Sequence, residues 1–178
     1  MDIYTIGHST HTKEEFIDIL ETYKIEVLVD VRSLPGSNYV PQFNKEEMEK
    51  WVVASGIEYI HCIELGGLRK NSIDIDDYLV SGWENKSFRS YAAYSLTQSY
   101  EQGIDKLIAL AKTKKLCIMC AELVPWRCHR SIISNSLVFK GAKVLHIMSK
   151  SKLVEHEISL YGALAIIDGD KLIYPKLN

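Results

Sequence analysis

Between Cys120 and Ser131 the chain places two thiols (Cys120, Cys128), a carboxylate (Glu122), an imidazole (His129) and two guanidiniums (Arg127, Arg130). An apolar, strand-like run precedes this stretch and a helix-like run follows it. A strand end, a polar loop and a helix N-terminus are the usual parts of an α/β ligand site, because free backbone N–H groups and the helix dipole meet there. Arginine usage points to the same place. Of 21 Lys and Arg residues only Arg32, Arg69, Arg89, Arg127 and Arg130 are arginines, and each falls in or beside a predicted loop rather than on a routine helix face. The planar guanidinium fork suits bidentate contact with phosphate or carboxylate. The partition therefore predicts one anion-binding face.

Several chemistries are open to these residues. Cys117 and Cys120 have the C-x-x-C spacing of metal knuckles and redox pairs, but residues three apart on a strand point to opposite faces. Cys117 is thus assigned to the core, and Cys120 to the strand end. Cys120, Cys128 and His129 with Glu122 match zinc by ligand type. Their spacing is not that of a common zinc module, and the adjacent Cys128 and His129 diverge unless the backbone turns sharply; no metal is assigned. A cysteine-phosphatase loop is disfavoured, since the sixth residue after Cys120 is Trp126, not Arg, and Pro125 lacks a backbone N–H. A thiol nucleophile of another type stays open. At the predicted helix N-terminus, Arg130 suits an anion, and the dipole there disfavours a charged His129, leaving a neutral base or donor.

Other elements should bring partners to this site. Residues 3–6 read as a first strand, closed by Gly7, His8 and Ser9; His8 could move a proton and Ser9 donate to an anion. Thr12 and Glu15 form a capping box for a helix from Lys13 to about Tyr23. Residues 27–32 form a second, β-branched strand holding Asp30 and Arg32. A carboxylate in such a strand needs a partner, and alternation argues for His8 or Arg130 over Arg32. Asn44 is read as the cap of a helix over 45–55, followed by a strand over 57–62 that ends at Glu64, Gly66 and Gly67. Residues 68–94 read as the least regular part, a span long enough to be functional or to carry short helices of its own, with Arg69, Arg89 and Tyr91 as substrate contacts, while Trp83, Phe88, Tyr91 and Tyr94 read chiefly as a satellite core. A helix over 96–111, a strand over 116–120, a helix from about His129 to Lys140, a strand over 144–148 and a hairpin over 166–174 complete the pattern. His11, His61, His146 and His156 carry no usable signal.

Alternating strands and helices predict a three-layer α/β domain: a mostly parallel, Rossmann-like sheet of about five strands, helices on both faces and a small C-terminal β-hairpin. Right-handed crossovers would then gather His8, Asp30, Arg32, Arg69, Glu122, His129 and Arg130 at one strand edge. The 178 residues fit one domain, 1–178, with an irregular insertion at about 68–95 and a C-terminal extension at about 150–178. A net charge of −2 excludes an extended basic surface for nucleic acid, though a local phosphate or short-strand site remains. No apolar run is long enough to span a bilayer and no signal-peptide pattern opens the chain, so the protein is expected in the cytoplasm with free thiols. No motif specifies a cofactor or an oligomeric state.

Taken in order, Thr5 to Ser9, Asp30 to Arg32 with Pro35 and Ser37, Leu65 to Gly67, Phe88 to Tyr94, Cys120 to Glu122 and Cys128 to Arg130 resemble the domain-of-unknown-function family number 488. The resemblance covers residues 3 to about 148. It implies a compact α/β domain and groups these motifs at one site. It brings no established reaction; members are loosely associated with DNA repair. The loop after Arg32 departs from the family's Arg-rich pattern, with Gly36, Asn38 and Tyr39, which weakens a nucleic-acid reading of that loop. The residues together point to an enzyme on a phosphate-bearing substrate (a nucleotide or nucleic acid), with His8, Asp30, Glu122, His129 and Cys120 as catalytic groups. Ser9, Arg32, Arg69, Arg89, Tyr91, Cys128 and Arg130 would bind the substrate. A non-catalytic binding module for the same ligand, or a Cys/His metal-binding protein, are the alternatives.

Overall fold

The structure, a computed structural model, describes residues 1–69 and 74–177. Positions 70–73 of the expected irregular insertion lie outside the described residues. Five parallel strands, β1 (Asp2–Gly7), β2 (Val27–Asp30), β3 (Glu58–His61), β4 (Leu116–Cys120) and β5 (Lys143–Ser149), join an antiparallel β6 (Lys152–Glu155) in the order β3-β2-β4-β1-β5-β6. β7 (Ile166–Asp168) and β8 (Lys171–Ile173) form the expected separate hairpin.

Alternation along the strands assigns the helices to two layers. Tyr4, Ile6, Leu28, Cys117 and Met119 pack with Phe16, Ile19 and Leu20 of α1 (Lys13–Thr22) and with Met48 and Val52 of α2 (Lys45–Ala54). Ile3, Val27, Val29, Leu116, Ile118 and Cys120 face the other way. They meet residues of α3 (Lys86–Tyr94), α4 (Gln98–Ala111) and α5 (Arg130–Phe139). Cys117 and Cys120 thus sit in opposite layers, as strand geometry requires. All four residues from Val27 to Asp30 are fully buried, as expected for a parallel strand covered on both faces.

The chain following β2 leads to α2 on one face, and the chain following β4 leads to α5 on the other. Adjacent strands whose connections leave in opposite directions open a crevice at their C-terminal ends. The ends are level there: Gly7 pairs with Cys120, and Asp30 with both Met119 and His61. His8 N donates to Cys120 O at 2.9 Å and Ser9 N to Ala121 O at 2.9 Å, extending the ladder into the loops. Gly7 is required by this approach, since a Cβ at that position would lie 1.9 Å from the Glu122 carbonyl oxygen.

Four expectations need correction. The segment after Gly67 carries short helices, as its length suggests: a 3₁₀ turn over Asp77–Val80 and α3, whose N-cap Asn85 accepts from Ser87 N and Phe88 N. Arg89 therefore does lie on a helix. Trp83, Tyr91 and Tyr94 belong to the main core rather than a satellite of it. Asn44 precedes α2 but makes no side-chain cap; its Oδ1 accepts from Ser37 N at 2.6 Å and closes the loop after β2 instead. β6 was not expected. Among the described residues no helix is long and apolar enough to cross a membrane.

Candidate functional site

Two polar clusters occupy the crevice edge. In the first, Asp30 accepts from the Arg32 backbone N (3.0 Å) and Nε (2.9 Å) on Oδ1, and from Arg32 Nη2 (2.7 Å) and Tyr59 OH (2.7 Å) on Oδ2. This overturns the alternation argument against the Asp30–Arg32 pair. The backbone leaves the ladder after Asp30, and the long Arg32 side chain folds back along the strand end. Arg32 Nη2 also donates to Phe43 O (2.9 Å), and Nη1 to His8 Nε2 (3.1 Å). Because an arginine can only donate, His8 Nε2 is the lone-pair nitrogen and Nδ1 carries the proton, given to Ser9 O at 2.9 Å. The His8 ring stacks on Phe43 at 4.2 Å. Burial, helped by the charge of Arg32, holds the His8 imidazole down at about 4. His8 is a neutral histidine with both nitrogens used inside the protein, and Ser9, at φ 44, serves as its acceptor.

The second cluster is built at the junction of β4 and α5. Cys128 is extended (φ −134, ψ 145) and His129 turns helical (φ −57, ψ −13). This supplies the sharp turn that lets adjacent side chains converge. His129 Nε2 donates to Val31 O at 2.9 Å, so Nδ1 bears the lone pair. It lies 3.6 Å from Cys128 Sγ and 3.9 Å from Cys120 Sγ. Arg130 donates to Cys128 Sγ from its backbone N (3.5 Å) and Nε (3.4 Å). Burial alone would push the Cys128 thiol up, but the Cys120 thiol's hydrogen bond and the charge of the adjacent Arg130 carry it well below the ordinary range. Cys120 is pushed up, first as the donor in that bond and then by burial.

Neighbouring elements hold the His129 ring. A Cβ on Gly67 would sit 2.6 Å from His129 Nδ1, so the Gly66–Gly67 turn allows the ring its place. Tyr91 meets the imidazole edge to face at 4.8 Å and donates to Leu65 O at 2.7 Å, tying that turn to α3.

Both clusters border a cleft of about 310 Å³ lined by Arg32, Gly67, Tyr91, Cys120, Glu122, Arg127, Cys128 and His129, among others. A larger recess, about 530 Å³, lies between the β3 edge and α4. Its polar groups are paired within the protein: Glu64 takes the Cys62 thiol and Lys106, and His61 Nε2 donates to Arg32 O outside the recess. The smaller cleft is the chemically open one.

The arginine pattern resolves differently from expectation. Arg32 is held by Asp30. Arg69 lies over the Tyr94 ring at 3.6 Å and donates to the carbonyls of Gly66, Ile63 and Glu64. Arg89 pairs with Asp77, outside the cleft lining. Arg130 is buried, and donates to the Glu122 and Leu123 carbonyls and at 3.4 Å to Thr5 Oγ1. The anticipated Arg130 contact with Glu122 is thus made to its backbone. Arg127 alone among the five has no side-chain hydrogen bond or ion pair to a described residue, and it is exposed at the cleft. Arg127 is not among the substrate contacts expected from the sequence, and exposure in the loop is what leaves its fork open. Glu122 also presents an exposed side chain to the cleft.

His146 and His156, silent in the sequence, join a buried chain from this site to the C-terminal segment. Thr5 Oγ1 donates to His146 Nδ1 (2.7 Å), His146 Nε2 to His156 Nδ1 (2.9 Å) and His156 Nε2 to Asn135 Oδ1 (2.8 Å), and Asn135 Nδ2 donates to Tyr174 OH (3.1 Å). Burial holds His146 at about 3 and His156 at about 4, both neutral.

Fold and cleft together define a three-layer α/β protein with a thiol–imidazole cluster at the strand C-terminal edge. The family described as a domain of unknown function, DUF488, matches residues 12–137, more than half of the 178, and the chain belongs to it. No curated protein and no solved structure matches the chain.

Proposed function

We propose that the cleft is the active site of an enzyme acting on a small phosphate-bearing substrate such as a nucleotide. The observation that carries this reading is the placement of a guanidinium with no partner among the described residues, Arg127, on the same cleft as the Cys120–Cys128–His129 cluster. Arg127 suits the phosphate, the cluster is the reaction centre, and Glu122 at the exposed wall carries the proton. His8, Asp30, Arg32 and Arg130 act by fixing the walls. One open guanidinium and a net charge of −2 fit a mononucleotide-sized group better than a nucleic-acid track. Four free cysteines suit a reducing, cytoplasmic setting.

The test is binding of inorganic phosphate and nucleoside monophosphates by calorimetry, followed by a turnover screen against phosphate esters. Arg127→Ala should weaken phosphate binding about tenfold, the value of a charge-assisted contact. Binding that survives in that variant contradicts the reading, and binding with no turnover in the screen points to a non-catalytic module.

A further inference from the structure

We propose that Cys120, Cys128 and His129 form a divalent-metal site of the zinc class, with a fourth coordination position open to the cleft. The Sγ atoms of Cys120 and Cys128 and a ring nitrogen of His129 lie within 4.8 Å of one another. A zinc ion with bonds of about 2.3 Å to sulfur and about 2.05 Å to nitrogen sets tetrahedral N and S ligands about 3.5 Å apart. His129 Nδ1 lies 3.6 and 3.9 Å from the two sulfurs, so two edges of the triangle are close to those the ion needs, and the sulfurs themselves are within 4.8 Å of each other.

The surroundings fit the same role. Metal-bound histidines characteristically donate their second nitrogen to a carbonyl or carboxylate, which fixes tautomer and ring orientation. His129 Nε2 does so to Val31 O, and thereby aims the Nδ1 lone pair at the sulfurs. Arg130 N and Nε both donate to Cys128 Sγ, leaving that sulfur an acceptor. In the bound site both sulfurs ligate as thiolates, Cys120 giving up its proton to solvent, and His129 ligates as neutral imidazole. Two thiolates and one imidazole leave one position of a tetrahedron, and all three residues line the cleft. Sites with three protein ligands and an open position are of the catalytic kind, binding water or substrate there. Glu122 stands outside the ligand group, on the cleft wall, where it can meet a bound water rather than the ion.

The test is titration of the reduced protein with Co(II) alone, followed by displacement with Zn(II), read by absorption. The site predicts one equivalent of cobalt, thiolate-to-cobalt charge transfer and the d–d bands of a four-coordinate ion. Cys120→Ser and Cys128→Ser should each remove about half of the charge transfer or abolish binding. Cys62→Ala, remote from the cluster, should leave it unchanged. Gly67→Ala retains all three ligands and presses on the ring; it should weaken cobalt binding about 10- to 100-fold, the usual effect of disturbing a ligand's support. It keeps the test valid if a buried cysteine variant fails to fold. Absence of cobalt binding by the wild-type protein overturns the proposal. So does binding without charge transfer, or a band that survives in the double Cys120→Ser, Cys128→Ser variant. No readout uses a substrate, so this site and the phosphate reading can fail independently.

Discussion

Two histidines stand at the same sheet edge, and their surroundings give them opposite roles. His8 donates from Nδ1, accepts at Nε2, stacks on Phe43 and leaves nothing for a ligand. His129 is anchored through Nε2 alone and turns its remaining lone pair to two sulfurs at the cleft. The difference lies in the partner. Arg32 brings a donor that consumes the lone pair of His8, while Cys120 and Cys128 meet the His129 lone pair only through long contacts of 3.9 and 3.6 Å, which leave it open to a ligand. Proximity to a cleft does not mark a histidine as functional; the account of its two nitrogens does.

The largest effect expected on this contrast is Asp30→Ala. Removing a fully buried carboxylate that holds Arg32 and Tyr59 leaves an unpaired buried guanidinium and should lower stability by about 3–5 kcal/mol in urea unfolding. Cys120→Ala, in the other cluster, should lower it by only about 1 kcal/mol. Similar losses for the two would erase the distinction between a structural and a chemical corner.

Next comes pH. His146 and His156 fold with pKa values of about 3 and about 4, below the ordinary 6.5. Between those values the unfolded chain binds more protons, so stability is full above pH 6.5 and falls as the pH drops toward 4. Each histidine can contribute a loss of about 2 kcal/mol at pH 5, at about 1.4 kcal/mol per pH unit. Unfolding free energies measured from pH 7 to 5 should show this slope, and His156→Gln should flatten it. An unchanged slope in that variant would remove His156 from the buried neutral class that His8 represents.

Tyr91→Phe should lower stability by about 1 kcal/mol, the net worth of the hydroxyl bond to Leu65 O. The effect should also loosen the turn beneath His129, visible as faster amide exchange at Gly66 and Gly67. Arg127→Ala is the smallest in stability, within about 0.5 kcal/mol for an exposed side chain, while still weakening phosphate binding. A destabilised Arg127→Ala protein would class this arginine with the four that hold the fold.

The elements were largely legible because their signals are local. The apolar Val-Leu-Val run at 27–29, the Thr12–Glu15 box and the strand ending at Cys120 lie where periodicity and capping predict. So does the assignment of Cys117 and Cys120 to opposite faces. The misses share one cause, partners far apart in the chain or geometry beyond the strand end. Nothing local links His146 to Thr5, 141 residues away. The Asp30–Arg32 pair forms only because the chain turns out of the ladder, where alternation no longer applies. β6 follows β5 through Lys150 and Ser151, which carry no Gly or Asn turn signal. α3 was hidden because Asn85, its cap, sits in a polar, aromatic run that reads as loop. At the site, convergence at one edge was foreseen, but the arginines were not: side-chain type announced anion binding, whereas four of the five forks are spent on carboxylates, carbonyls or sulfur within the fold.

The most direct measurement is the imidazole ¹⁵N spectrum of the reduced protein, recorded before and after one equivalent of Zn(II). The account predicts His8 as the Nδ1–H tautomer and His129 as the Nε2–H tautomer, with zinc shifting Nδ1 of His129 and leaving His8 unmoved. A His129 protonated at Nδ1, or a zinc response confined to His8, would contradict it.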